Sequence, residues 1–489
     1  MNIHARFEAA FLRAADTPAL LCPGREDWSY GRLVEETERL ARALDERQVG
    51  AGDRVLVQVE KTPEAVALYL ACLKTGAVYV PINTAYTKPE VEYFIDDCEP
   101  ALLVVDSDFE THVSVATLDG GRGTLLASPS RDLPAAKSVS RADDDLAAII
   151  YSSGTTGRSK GAMLTHANLL SNAETLCAAW GWRDDDVLLH ALPIFHVHGL
   201  FVALHCAFQN ATPVVFHAGF DAEAIIRDLP RSTVVMGVPT FYTRLVNEPA
   251  FDAAACAHMR LFISGSAPLT EQAFGAFEER TGFRILERYG MSETLMNTSN
   301  PLDGERVAGT VGFALPGVDV RIADEAGSPV PTGEVGTIEV RGPNVFKGYW
   351  RMPERTAEEF RGDGFFVTGD LGTMDAEGRI TIVGRDKDLV ISGGYNVYPK
   401  EVETLIDEIP EVVESAVIGV PHADFGEGVV AVVVARGRVD DELVSAHLKD
   451  RLARYKQPKR VIRVDDLPRN AMGKVQKNVL RQKYADILS

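Results

Sequence analysis

Arg54-Val-Leu-Val-Gln-Val59, Pro63-Glu-Ala-Val-Ala-Leu-Tyr-Leu-Ala-Cys-Leu-Lys74 and Ala77-Val-Tyr-Val-Pro-Ile82 follow one another with only short gaps between them. The first and third stretches are short, apolar and rich in β-branched residues, as buried strands are. The second has a helical pattern and opens on Pro63, whose missing N–H costs little at a first helical position. Working outward, Pro89–Asp97 reads as another proline-opened helix and Ala101–Val105 as the next strand. The rhythm returns with strands at Leu146–Tyr151, Val187–Ala191, Pro213–Phe216, Val234–Gly237 and Leu261–Ser264, with helices between them. Such alternation implies a layered α/β architecture with largely parallel sheets.

After about residue 310 the texture changes. Val318–Ile322, Val335–Val340, Phe365–Thr368 and Arg379–Val383 are short strands divided by turns such as Asp375–Gly378, the pattern of an antiparallel β subdomain. Beyond Lys387 come a helix from Pro399, strands at Glu414–Ile418 and Val429–Val434, a helix near Glu442–Arg454 and a strand around Val461–Val464. That tail is long enough to be a small domain of its own. The expected fold class is therefore α/β. A large N-terminal domain (1–386) has layered sheets and a β subdomain at about 310–386, and a small α+β C-terminal domain covers 387–489. No internal repeat or low-complexity segment interrupts it.

At 489 residues the chain exceeds the size at which one core keeps growing, and 46% hydrophobic with 25% charged residues is ordinary for a globular protein. No apolar run approaches the length needed to cross a bilayer. Residues 1–13 set Arg6 and Arg13 against Phe7, Phe11 and Leu12, which suits a helix packed on the body better than a secretory signal. The formal charge of −20 argues against nucleic acid as a partner, and an anionic substrate must be held by local donors. Cys22, Cys72, Cys98, Cys177, Cys206 and Cys256 form no CxxC pair and no zinc spacing. They read as reduced, mostly buried residues, and the cytoplasm is the expected compartment.

Tyr151-Ser152-Ser153-Gly154-Thr155-Thr156-Gly157-Arg-Ser-Lys160-Gly161 follows an apolar strand and concentrates glycines, hydroxyls and two cations. Glycines let the backbone approach an anion, N–H and O–H groups donate to it, and Lys160 adds charge, so the loop suits a phosphate. The Walker spacing is absent, and a polar surface turn has the same composition.

The loop resembles the signature of the acyl-adenylate-forming superfamily, which includes acyl-CoA synthetases, and further matches follow in that family's order. Tyr289-Gly290-Met291-Ser292-Glu293-Thr294 resembles its adenine and magnesium segment, and Thr368-Gly-Asp370 its ribose-binding aspartate. Gly384-Arg385-Asp-Lys387-Asp388 resembles the hinge, and Ser392-Gly393-Gly394-Tyr395-Asn-Val-Tyr-Pro-Lys400-Glu401 the segment that completes the thioester-forming state. Pro468-Arg-Asn-Ala-Met-Gly473-Lys474 resembles the C-terminal catalytic-lysine motif. Ser152 and Ser292 stand where the family more often has Thr, and both keep a hydroxyl.

The resemblance implies ATP, Mg²⁺ and coenzyme A as cosubstrates or cofactor. It places ATP against residues 152–157, Lys160, Gly265, Ser266, Ala267, Glu287, Arg288, residues 289–292, Asp370 and Arg385. Glu293 and Thr155 would hold the metal, with helix capping as the other reading of Glu293. Lys474 would neutralise the charge that builds at the α-phosphate. The small domain would turn about Lys387 and bring Gly393, Gly394, Tyr395 and Lys400 alongside CoA.

Ala191-Leu-Pro-Ile-Phe-His196-Val-His198-Gly199, Gly237-Val-Pro-Thr-Phe-Tyr-Thr-Arg244 and Leu261-Phe-Ile-Ser-Gly265-Ser266 bear on the acid. An arginine facing an acyl pocket suits a second carboxylate, while a surface salt bridge is the other reading of Arg244. As runs, these segments resemble the malonate–CoA ligase subfamily. That resemblance implies malonate as the acid, held by Arg244, Ser266 and His198, with Met296 limiting any 2-substituent and His196 the less favoured histidine. The two histidines could also suggest a metal, but no third ligand is apparent. A ligase for a short monocarboxylic or aryl acid, or an enzyme loading a carrier protein, are the alternatives, and no protein partner is evident.

Overall fold

The computed structural model describes residues 2–119, 123–127, 138–152, 159–392, 395–422, 425–470 and 473–488. Among these residues the strands form four sheets. Arg54–Gln58, Val78–Pro81, Leu102–Val105 and Leu146–Ser152 pair in parallel within a six-stranded sheet. Helix Pro63–Thr75, which joins the first two, is buried at every position, so it is apolar nearly all round instead of on one stripe. Its side chains share a core with Leu188, Val214 and Ile263 of a second, nine-stranded sheet.

The middle of that second sheet is also parallel: Val214–Phe216, Leu188–His190, Val234–Gly237, Leu261–Ser264 and Leu286–Met291 lie side by side. The carboxyl ends of parallel strands are where ligands gather in α/β folds. The loop after His190, the helix Pro239–Val246 and the turn after Ser264 all leave from those ends. Val234–Gly237 and Leu261–Ser264 have the expected bounds. Pro89 occupies the second helical position, because Thr87 is the cap and Glu90 closes a capping box with it.

Two strands depart from the sequence reading. Lys160–Thr165 folds back antiparallel on Leu146–Ser152 with Ser152 opposite Lys160, so the chain from Lys160 onward is a strand. Its lysine and glycine make the strand look like continuing loop. Thr368-Gly369-Asp370 lies inside one long strand, Phe366–Met374, and not in a turn, with a bulge at Leu371/Gly372 absorbing the irregularity. That strand belongs to the expected antiparallel subdomain, ordered Asp319–Ala323, Gly336–Arg341, Phe366–Met374, Ile380–Arg385.

The tail folds as a mixed sheet of Val390–Ser392, Tyr395–Val397, Val412–His422, Gly426–Ala435 and Arg460–Val464 with helices Pro399–Ile406, Asp441–Leu448 and Lys477–Lys483. Every residue of its two hydrophobic cores lies after 389. At the other terminus, helix Ile3–Arg13 buries Phe7 and Phe11 and leaves Leu12 exposed. The six cysteines are free, and no helix among the described residues is long and apolar enough to cross a membrane.

Candidate active site

A cavity of about 430 Å³ opens between the tail and the two sheets that precede it. Arg244, Ser266, Glu287, Arg288 and Tyr289 line it from the nine-stranded sheet, Asp370 and Arg385 from the antiparallel sheet, and Lys400 and Lys474 from the tail. Lys474 is held by a tight turn: its N–H donates to Asn470 Oδ1 at 2.9 Å, and the Asn470 N–H donates to its carbonyl at 2.9 Å. Gly473 sits there at φ +73, and a Cβ on it would stand 3.2 Å from Thr240 Oγ1, so this turn lies on the start of helix Pro239–Val246. Burial pushes the Lys474 amine down to about 8, with the Arg385 cation adding to the effect and Asp370 opposing it.

Asp370 is buried, and both its oxygens are used. The Tyr289 hydroxyl donates to Oδ2 at 2.6 Å, and Arg385 Nε bonds Oδ1 at 2.8 Å. The second contact is a cross-strand pair, since Asp370 and Arg385 face each other in register. Burial and the Asp370 charge raise the Tyr289 hydroxyl well above its usual range, so it stays a donor.

At the other end, Ser266 takes a left-handed φ of +72, rare for a side chain of this kind, and its hydroxyl lies 3.2 Å from His198 Nδ1. His198 is fully buried with no partner at Nε2. Its N–H donates to His196 Nδ1 at 3.2 Å, which leaves the His196 ring proton on Nε2. Burial holds both rings neutral, His196 down to about 4. Arg288 assists at both, and Lys474 adds to the effect at His196. His196 is thus the histidine within electrostatic reach of Lys474, whereas His198 stands behind it against Ser266.

Arg288, which the resemblance groups with the nucleotide, lies beside Gly265 and within electrostatic reach of His198. A Cβ on Gly265 would come 2.5 Å from its Cζ. Arg288 is 2% exposed, and its Nε and Nη2 have no partner among the described residues, while burial pushes it down to about 10. Its burial and its distant neighbours could not be read locally, where it follows Glu287 in the short strand Leu286–Met291. Arg244 is exposed, lines the same cavity and makes no ion pair among the described residues, so the surface salt bridge is not found.

The metal candidate Glu293 is buried in the turn between strands Leu286–Met291 and Leu295–Ser299, accepting at Oε1 from Ser152 Oγ and Tyr349 OH, each at 3.2 Å. It caps no helix. Lys160 is engaged by Glu359 at 3.1 Å and by Tyr349 OH at 3.2 Å. Met296 packs against Gly290 and does not line the cavity, nor do Met291 and Ser292 of the preceding strand and turn. Ala267 and Gly290 do line it. Lys400 helps to draw down the buried Glu287 carboxyl, which burial nevertheless pushes up to about 8. Tyr395 is exposed and packs on Tyr455 at 4.8 Å. Lys387 sits in a 3-10 turn whose Asp388 pairs with Arg481 at 2.9 Å. Ser153, Gly154, Thr155, Thr156, Gly157, Gly393 and Gly394 lie outside the described residues.

The AMP-binding enzyme family model matches residues 7–350, and the AMP-binding enzyme C-terminal domain model matches 401–474. The chain belongs to the AMP-binding enzyme family. It is 52% identical to MatB from Rhodopseudomonas palustris, covering 99% of this chain and 100% of that one. The TM-score is 0.95 against the ATP-bound MatB structure and 0.84 against apo MatB. The malonate–CoA ligase of Arabidopsis thaliana is 35% identical over 97% of this chain and 88% of its own length. A feruloyl-CoA synthase of Amycolatopsis sp is 38% identical over 93% and 94%. The enzyme class is AMP-forming acid–CoA ligase, acting on ATP, CoA and a small acid.

Proposed function

We propose that this ligase activates malonate, giving malonyl-CoA, AMP and pyrophosphate. The observation that carries the reading is Arg288, a buried cation lining the cavity beside Ser266, with two nitrogens that have no partner among the described residues. A buried charge left unpaired is costly, and a second carboxylate on the substrate removes that cost. Arg244 supplies another unpaired cation in the same cavity. An aliphatic monoacid or an aryl acid would leave both unanswered.

In the first step a malonate oxygen attacks the α-phosphorus of ATP, the bond to the bridging oxygen breaks, and pyrophosphate leaves. Charge builds on the α-phosphate oxygens, where Lys474 and the His196 Nε2–H act as donors. Asp370 takes the ribose hydroxyls, with Arg385 holding its other oxygen. Mg²⁺ would sit at Glu293, a buried carboxylate with no ion pair among the described residues, aided by Thr155, and would neutralise phosphate charge. No cluster of three His, Cys, Asp or Glu side chains suits a metal among the described residues, which fits an ion shared with phosphates. In the second step the CoA thiolate attacks the adenylate carbonyl and AMP leaves.

The test is AMP release with a panel of malonate, methylmalonate, succinate, butyrate and ferulate, on the parent, Arg244→Met and Arg288→Met. Malonate is expected to have the highest kcat/KM in the parent. It should fall by about 10²-fold or more in Arg288→Met, as when one member of a buried charged pair is removed, and by about 10-fold or more in Arg244→Met, where the cation is exposed. Butyrate should be spared in Arg244→Met. Turnover of ferulate or butyrate without malonate would overturn the diacid assignment.

A further inference from the structure

Residues 193–199 carry both site histidines and turn tightly, since a Cβ on Gly199 would stand 2.1 Å from the Pro193 carbonyl oxygen. The bond that braces this loop from behind starts in the other sheet. Lys61 lies between strand Arg54–Gln58 and helix Pro63–Thr75, and its Nζ bonds His190 Nδ1 at 2.7 Å and the His190 carbonyl at 3.1 Å. His190 ends strand Leu188–His190 of the nine-stranded sheet, is buried, and bonds the Gly199 carbonyl through Nε2 at 2.9 Å. A carbonyl accepts and cannot donate, so the His190 ring proton is on Nε2. Nδ1 is therefore an acceptor, and Lys61 is its donor. Phe216 closes the remaining sides, stacked on His190 and with the Lys61 amine 4.4 Å from its ring centroid.

Among the described residues no carboxylate pairs with Lys61, and both its hydrogen bonds go to His190. An amine placed this way adds little as an ion pair. What it does is fix the tautomer and plane of one imidazole. That imidazole holds the carbonyl of Gly199, which follows His198 at the mouth of the wide helical turn His198–Leu204. Such π turns are rare and cluster at functional sites.

We infer that Lys61 is a positioning residue of the adenylation step: through His190 it holds the Gly199 carbonyl, and with it the loop that presents His196 and His198. The inference rests on those two histidines facing the acid, and not on which acid it is.

The test is a double-mutant cycle of Lys61→Met and His190→Phe, assayed by pyrophosphate release with whichever acid the parent uses best, so a failure of the malonate reading leaves it intact. Each single variant should lower kcat/KM for the acid by about 10-fold to 100-fold, as loss of an orienting partner does, while KM for ATP stays within about 2-fold. The double variant should lose no more than either single one. Lys61→Arg, which keeps a donor, should recover part of the loss. Should Lys61→Met give no soluble protein, Lys61→Gln takes its place in the cycle. Parent kcat/KM in the Lys61 variant, additive losses, or a lowered Tm with unchanged kcat/KM would each overturn the inference.

Discussion

A lysine held near pH 8 changes charge within the range of an ordinary assay. Lys474 is a cation below that value and loses its proton as pH rises through it. If its charge offsets the anion forming at the α-phosphate, kcat/KM for adenylation falls about tenfold per unit above pH 8. Bound phosphates favour the ammonium, so the same limb in kcat moves to higher pH. Lys474→Arg keeps its charge throughout, and although the fork geometry lowers the absolute rate, its alkaline limb should disappear. Pyrophosphate release measured from pH 6.5 to about 9.5 on both proteins reads this directly, and identical limbs would assign the titration to another group. Lys474 and Asp370 were legible in the sequence because each stands in a compact motif with a glycine beside it. What distinguishes Arg288 and His196 is depth and neighbours, which the local sequence does not carry. Arg288 is next to Gly265, and His196 is within electrostatic reach of a lysine almost at the other end of the chain.

Elements converge on the acid end because neighbouring parallel strands deliver their loops to one edge. The turn after strand Leu261–Ser264 brings Gly265 against the guanidinium carried by strand Leu286–Met291, two strands that pair directly. The need for glycine there is steric: a methyl group at 265 occupies the space of the Arg288 Cζ. Gly265→Ala should therefore displace the guanidinium with little cost to the strand itself. We expect KM for the preferred acid to rise by about 10-fold or more, KM for ATP to stay within about 3-fold, and Tm to move by only a few degrees. Steady-state kinetics with each substrate varied, alongside a melting curve, separates these. A collapse in Tm would mean that the site tolerates no adjustment and that Arg288 is structural. The strands themselves were legible wherever an apolar run was bounded by turn residues. The hairpin return at Lys160–Thr165 was hidden because its first two residues have loop chemistry, and its pairing partner alone makes it a strand.

On the scale of the whole molecule, the tail brings Lys400 and Lys474 to the cavity. Sequence identity to MatB is the same for both of its structures, yet the match falls from 0.95 with ATP bound to 0.84 without it, so this fold is nearer to the ATP-bound one. Here the turn bearing Lys474 is seated on helix Pro239–Val246, while in the segment the resemblance assigns to CoA Tyr395 is exposed and Lys400 lines the cavity. We propose that a turn about Lys387 exchanges Lys474 for the rest of that segment at the adenylate. The 3-10 geometry at Asp386–Asp388 has a φ that proline shares, and an N–H near the start of such a turn has no internal partner to lose. Lys387→Pro should hence keep the arrangement seen and resist leaving it. Acyl-adenylate formation in a single turnover is expected to stay within about 3-fold of the parent, while thioester formation from supplied adenylate and CoA drops by about 10²-fold or more. Chromatography of the two products distinguishes the steps. Equal losses in both would mean that the seated tail serves the whole reaction without turning, and Lys387 would then be a linker residue with no part in the exchange.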